Sequence, residues 1–303
     1  MYRYYSLHEY LKKRFGKKVY KLALNAGFTC PNRDGTKGVG GCIFCSAGGS
    51  GEFAAAGESI AAQLEAAKAK IAAKVPPDCA YIAYFQAFTN TYAPVERLRC
   101  LFGEAIRGRD IAVLSIATRP DCLPPEVLAL LAELRRQKPV WVELGLQTSN
   151  EETARRINRC YENAYFLQAV RELKRQGIEV IAHVLLGLPG ETREDMLQTV
   201  RFACSCGIDG IKLQLLHVLK NTPLAQMEYT PLTMEEYFDI IADCLEIIPP
   251  QVVIHRLTGD GDKRLLIAPE WSADKHRVLN GLMRVLDERN IFQGSKTGGM
   301  QNG

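Results

Sequence analysis

The sequence predicts an α/β protein: a partial (β/α)6 TIM-like barrel followed by a C-terminal α/β extension. Three observations carry that expectation. Short β-rich runs alternate with amphipathic helical stretches about every 30 residues, the rhythm of βα units on a parallel sheet. Polar residues gather at the C-terminal ends of those runs, where βα barrels keep their reactive groups. The length of 303 residues suits one barrel-sized core with extensions.

In chain order, residues 1–17 read as an N-terminal extension and 18–220 as the barrel core. Strands are expected at 19–25, 79–85, 110–118, 140–147, 179–187 and 210–218, six in all. The Ala-, Glu- and Lys-rich stretch 58–73 and the segment 124–136, entered through Pro124 and Pro125, are crossover helices. Segments 162–176 and 191–205 follow, the second opened by the turn GLPGET with acids in its first turn. Right-handed crossovers curl such a sheet toward a barrel. Beyond residue 220 the pattern changes to a helix at 233–247, a short strand at 251–257 and a helix at 273–290. These form an extension over 221–291 that covers the barrel, and 292–303 reads as a disordered tail.

Apolar residues at 47% and charged residues at 24% are ordinary for a soluble globular chain. The longest apolar stretch, near 180–189, is too short to span a bilayer, and the start lacks a signal-peptide core. The expectation is a cytoplasmic protein with no membrane partner. In a reducing compartment the ten cysteines are thiols or metal ligands rather than disulfides. Seven of them, scattered along regular segments, read as small core residues. A net charge of +4 permits nucleic-acid binding without demanding it.

The other three cysteines, Cys30, Cys42 and Cys45, share the run FTCPNRDGTKGVGGCIFCSAGG directly after the first strand. Its glycines let backbone wrap closely around a bulky group and aim peptide N–H donors at it. Read from its residues, the trio admits three chemistries. A zinc ribbon wants a fourth ligand at matching spacing, and no second C-x2-C or H-x3-H pair appears. A redox pair of Cys42 and Cys45 leaves Cys30 idle. An iron–sulfur cluster uses all three thiolates and leaves one iron open.

The phrases CPNRDGT, GGCIFC, YFQAFTNTYAP, ATRPDC, ELGLQT and GLPGET resemble the radical S-adenosylmethionine (SAM) superfamily. Within it they are similar to a branch close to the Elongator catalytic-subunit-like enzymes, over about residues 15 to 275. The eleven-residue interval between Cys30 and Cys42 departs from the common C-x3-C-x2-C pattern and fits that branch. The resemblance implies that the three cysteines ligate a [4Fe–4S] cluster whose fourth iron chelates SAM. One electron, from a reducing partner such as flavodoxin or ferredoxin, then yields methionine and a hydrogen-abstracting 5′-deoxyadenosyl radical.

The same resemblance assigns cofactor contacts. Phe44 lies beside the adenine, and Gln86 and Thr89 take the place of the segment that holds the methionyl amine. Gln147 and Arg159, twelve residues apart, match ribose and carboxylate contacts, an Arg suiting a carboxylate with its paired donors. His183 faces the ribose, and Glu143, inward on the fourth strand, is a ribose or amine partner. Residues left for substrate are Arg119 and Asp121 after the third strand, His217 near the end of the sixth, and Arg256 and Lys263 in the extension. Lys212 also points into the barrel from the sixth strand. Relatives imply a wobble uridine of tRNA as substrate. A small-molecule substrate, or a metal-stabilised binding protein without catalysis, are the other readings of the same chain.

Overall fold

The strand–helix repeat folds as one parallel sheet curled into a half-barrel. The computed structural model describes residues 3–49, 59–259 and 261–297. Strands β1 (Val19–Leu24), β2 (Ala80–Phe85), β3 (Ile111–Thr118), β4 (Val140–Gln147), β5 (Glu179–Leu186) and β6 (Gly210–Leu215) pair side by side in chain order. β7 (Val218–Leu219) leaves this sheet and pairs antiparallel with β9 (Leu266–Ala268). β8 (Val253–Arg256) pairs parallel with β6, so the sheet has seven strands rather than six.

The seventh strand is the one that the sequence places in a covering extension. Its connection is the helix Met234–Ile247, which packs on the sheet's outer face as the earlier crossovers do, so residues 210–256 form one more βα unit. The helices are α1 (Leu7–Phe15), α2 (Ile60–Ile71), α3 (Val95–Ile106), α4 (Pro125–Arg135), α5 (Glu151–Arg156), α6 (Asn163–Arg175), α7 (Arg193–Ser205), α8 (Met234–Ile247) and α9 (Lys275–Glu288). α1, α3 and α5 have no counterpart among the helices expected from sequence. In α3 the buried Leu98, Phe102, Ala105 and Ile106 form the apolar stripe that a crossover needs.

Side chains alternate across the pleated sheet, and the alternation separates two cores. On the outer face Leu22, Leu24, Leu114, Val142, Val180 and Leu213 pack against the helices. On the inner face Ile82, Val113, Trp141 and Ile181 meet Leu11 of α1, which plugs the N-terminal end of the half-barrel. Ser6 caps α1 in a capping box with Glu9. The backbone just before the helix bonds to the edge strand, Ile254 N donating to Tyr5 O at 2.8 Å.

Residues 292–297, expected in the tail, are held. Gln293 donates to Pro249 O and Val252 O at 2.8 Å each and accepts from Tyr5 N at 2.8 Å. Residues 298–303 lie outside the described residues. No helix among the described residues is long and apolar enough to cross a membrane.

Leu11 is 6% exposed and supplies the plug's central contact. Leu11→Ala is expected to cost about 2–4 kcal/mol of stability in urea denaturation. A loss under about 1 kcal/mol would show that α1 does not seal the inner core.

Candidate functional site

The loop from β1 to α2 carries the cysteines to the C-terminal mouth of the half-barrel, its path fixed by local turns. Arg33 N donates to Cys30 O at 2.8 Å and Cys45 N to Cys42 O at 3.0 Å. Gly40 and Gly41 take φ of 78° and 81°, a region costly to residues with a Cβ. A Cβ on Gly38 would stand 2.2 Å from Asn32 Oδ1. Asn158, after α5, donates to Val39 O at 3.1 Å and Gly41 O at 2.8 Å, clamping the loop to the β4–α6 connection.

Cys30, Cys42 and Cys45 line one cavity of about 250 Å³. The Cys42 and Cys45 thiols share a hydrogen bond, which lowers the pKa of Cys45, and the Arg33 guanidinium acts in the same direction. The Asn32 amide points at Cys42 Sγ from 3.7 Å. The hydrogen bond that Cys42 shares with Cys45 raises the pKa of Cys42. A donor set of three thiols in one cavity fits a cluster with an open iron. Among the described residues no three Cys, His, Asp or Glu side chains converge as a single metal ion requires. Phe44, Gln86, Thr89, Gln147, His183, Arg119, His217 and Arg256 line the same cavity.

Beneath the cysteines lies a polar layer contributed strand by strand. Glu143 of β4 is fully buried and accepts from four donors. Lys21 Nζ of β1 and Ser115 Oγ of β3 reach Oε1 at 2.7 and 2.9 Å. His183 Nε2 of β5, at 2.7 Å, and Lys212 Nζ of β6 reach Oε2. Burial alone would raise the carboxyl's pKa, but Lys21 and Lys212 more than reverse that and hold it well below the usual range. Burial and the neighbouring Lys212 push the pKa of His183 down to about 4, which leaves the ring neutral at pH 7.

The chain is similar to known proteins. The model of the Radical SAM superfamily matches residues 28–203, more than half of the chain, and the Radical SAM C-terminal domain matches 208–288. The chain belongs to the radical SAM superfamily. The uncharacterized protein YtqA of Bacillus subtilis is 45% identical over 96% of this chain and 92% of its own length. YhcC of Escherichia coli is 38% identical over 95% and 93%. A tRNA uridine(34) acetyltransferase of Dehalococcoides mccartyi is 27% identical over 58% of this chain and 39% of its own. Among solved structures, the archaeal Methanocaldococcus infernus Elp3 superposes with a TM-score of 0.69 at 17% identity. That match covers 91% of this chain and 64% of that one, and it supports the fold.

Within this radical SAM core, three of the residues singled out from sequence stand away from the cavity. Arg159 is completely buried behind it, its N–H groups taken by Leu146 O, Thr148 O, Tyr161 O and Glu151. The chain turns back through positive φ at Asn158 and Cys160 and folds the guanidinium under the β4 loop. Asp121 sits behind Arg119, which grips it with two 2.9 Å bonds, and Lys37 holds its other side at 2.8 Å. Lys263 is exposed on the loop after β8. Glu143 lines the cavity, but each of its oxygens already accepts twice.

Tyr161 and Tyr84 are among the cavity residues that had no role in the sequence reading. Tyr161 donates to Gly145 O at 2.7 Å and stands 2.8 Å from Gln147 Oε1, with the Arg119 and Arg159 guanidinium groups 4.7 and 4.5 Å from its ring centre. It holds Gln147, whose φ of 61° marks a forced turn, and the ATRPDC and RRINRC arginines were the available signal for it. Tyr84 carries the Lys21 and Lys212 ammonium groups 4.4 and 4.8 Å from its ring centre.

The GLPGET turn serves the site from outside. Thr148 Oγ1, directly after β4, donates to Glu191 Oε1, while Glu191 Oε2 is buried without a partner. Burial pushes this carboxyl up to about 7 from 4.5. A raised folded-state pKa means that stability is greatest below 4.5 and is lost as pH rises through 7. Glu191→Gln removes that loss and is expected to gain about 1–3 kcal/mol over the wild type at about pH 8, with little difference near pH 4. Parallel denaturation curves at the two pH values read this, and equal gains at both would refute it.

Proposed function

We propose that this chain is a radical SAM enzyme that abstracts hydrogen from a wobble uridine of tRNA. The observation that carries the reading is that Cys30, Cys42 and Cys45 line one cavity together with Gln86, Thr89, Gln147 and His183, at the C-terminal ends of the strands. When bound at the three cysteines, a [4Fe–4S] cluster supplies the electron that cleaves SAM to methionine and a 5′-deoxyadenosyl radical.

The chain's own residues do the rest. Arg33 favours the thiolate of Cys45, and the Asn32 amide points at Cys42 Sγ. Phe44 offers an aromatic face beside Cys45 for the adenine, and Gln86, Thr89, Gln147 and His183 offer hydrogen bonds to the polar parts of SAM. The carboxylate contact first ascribed to Arg159 has to come from a cation that reaches the cavity; Arg33 and Arg119 do. Arg256 and His217 stand on the β6 and β8 side of the same cavity and are left for the substrate.

The similarity to a tRNA uridine(34) acetyltransferase and the net charge of +4 support a nucleic-acid substrate. A reductant such as flavodoxin or ferredoxin completes the system. After anaerobic reconstitution and dithionite reduction, the protein is expected to form 5′-deoxyadenosine from SAM. Each of Cys30→Ala, Cys42→Ala and Cys45→Ala should abolish it and lower bound iron. Undiminished iron in all three variants, with no 5′-deoxyadenosine from the wild type, would overturn the enzymatic reading. Nucleoside analysis of tRNA from cells lacking the gene tests the substrate: unchanged wobble uridines, with 5′-deoxyadenosine still formed, would redirect it to a small molecule.

A further inference from the structure

We infer that Asn32 is a positioning residue for the cluster, a buried amide that donates an N–H···S hydrogen bond to the Cys42 sulfur and so raises the cluster's reduction potential. The inference rests on the three cysteines holding a [4Fe–4S] cluster, as proposed above.

Asn32 stands two residues after Cys30 and is completely buried. Its backbone carbonyl accepts from Gly41 N at 2.8 Å, which ties it to the residue directly before Cys42. A side-chain amide carries two N–H donors. One goes to Asn158 O, and Nδ2 lies 3.7 Å from Cys42 Sγ, within reach of the other. Asn158 O also dictates which way the amide faces, because the reversed amide would set two carbonyl oxygens against each other.

The oxygen end of the same amide shows that it is kept for its donors. Asn32 Oδ1 is buried with no hydrogen-bond partner among the described residues. Gly38 lies so close that a Cβ there would stand 2.2 Å from that oxygen. A buried carbonyl oxygen without a partner is destabilising, and a leucine, with the same branching, would avoid the loss. What the amide has and a leucine lacks is the second N–H, aimed at a sulfur that bears negative charge when it ligates iron. A hydrogen bond to a charged acceptor is about twice as strong as one between neutral groups.

The direction of the effect follows from charge. Reduction adds an electron to the cluster, and a donor aimed at a ligand sulfur stabilises the more negative, reduced form more than the oxidised one. Hydrogen bonds to the sulfurs are among the groups that set the potentials of iron–sulfur centres, and partners behind the ligands tune a metal site as the ligands do. Asn32 acts through Cys42 and needs no contact with SAM or substrate.

The test uses the full chain, reconstituted anaerobically without SAM, and reads the cluster's midpoint potential by redox titration followed by EPR. In Asn32→Leu the ratio of reduced to oxidised cluster at a fixed potential should fall about three- to tenfold. That is a midpoint lower by about 30–60 mV, since one electron gives about 59 mV per tenfold. Asn158→Gly is the control. Asn158 has a φ of 54°, which glycine accepts, and the change removes the side-chain clamp on Val39 O and Gly41 O while keeping the carbonyl that holds Asn32. Its ratio should stay within about twofold of the wild type, a shift under about 20 mV. An unchanged or raised midpoint in Asn32→Leu, or an equal fall in Asn158→Gly, would overturn the inference and leave the cluster reading intact. With asparagine side-chain amides labelled with heavy nitrogen, pulsed EPR of the reduced wild type should show a coupling from the label. No such coupling would also overturn the inference, even if Asn32→Leu holds no cluster. A wild type that binds no [4Fe–4S] cluster at all refutes the enzymatic reading itself, and this inference with it.

Discussion

One buried carboxylate organises the interior. Glu143 is reached by side chains from β1, β3, β5 and β6, and strands as far apart in the sheet as β1 and β6 can meet on it only if the sheet curls. A charge without these partners would cost several kcal/mol in so dry a place. The carboxylate and the curvature therefore require each other. The layer they form divides the half-barrel into an apolar base around Trp141 and a polar chamber beneath the cysteines.

A second polar assembly fixes the chamber's rim. Arg119 grips Asp121 and also donates to Arg159 O and Cys160 O, while Arg159 donates to the carbonyls that end β4. Tyr161, set beside both guanidinium groups, turns Gln147 toward the chamber. Lys37, in the cysteine loop itself, completes the chain by pairing with Asp121. The loop that carries the thiols is thus tied to the ends of β3 and β4 by charge-assisted bonds rather than by apolar packing alone.

Much of this was legible in the sequence because it is written in local patterns. The six core strands announce themselves by β-branched runs, and the cysteine loop by its glycines. The polar residues at strand ends follow from the barrel's own rule. Other features depend on pairings across long separations, which no local pattern encodes. The four-residue β8 is too short to declare which sheet it joins. Arg159 looked like a ligand because an Arg at that spacing suits a carboxylate, but two positive-φ residues turn it inward. The meeting of Lys21, Lys212 and Tyr84 was hidden because each stands alone on its own strand and only the register brings them together.

The contact of the N-terminal segment with β8 has a consequence for how the chain is made. Tyr5 bonds to Ile254 and to Gln293, residues hundreds of positions later in synthesis. During translation α1 meets β1 and the inner face of the sheet early, but β8 and Gln293 are made long afterwards. The contact between this segment and β8 therefore closes only after all six earlier strands of the sheet have been made.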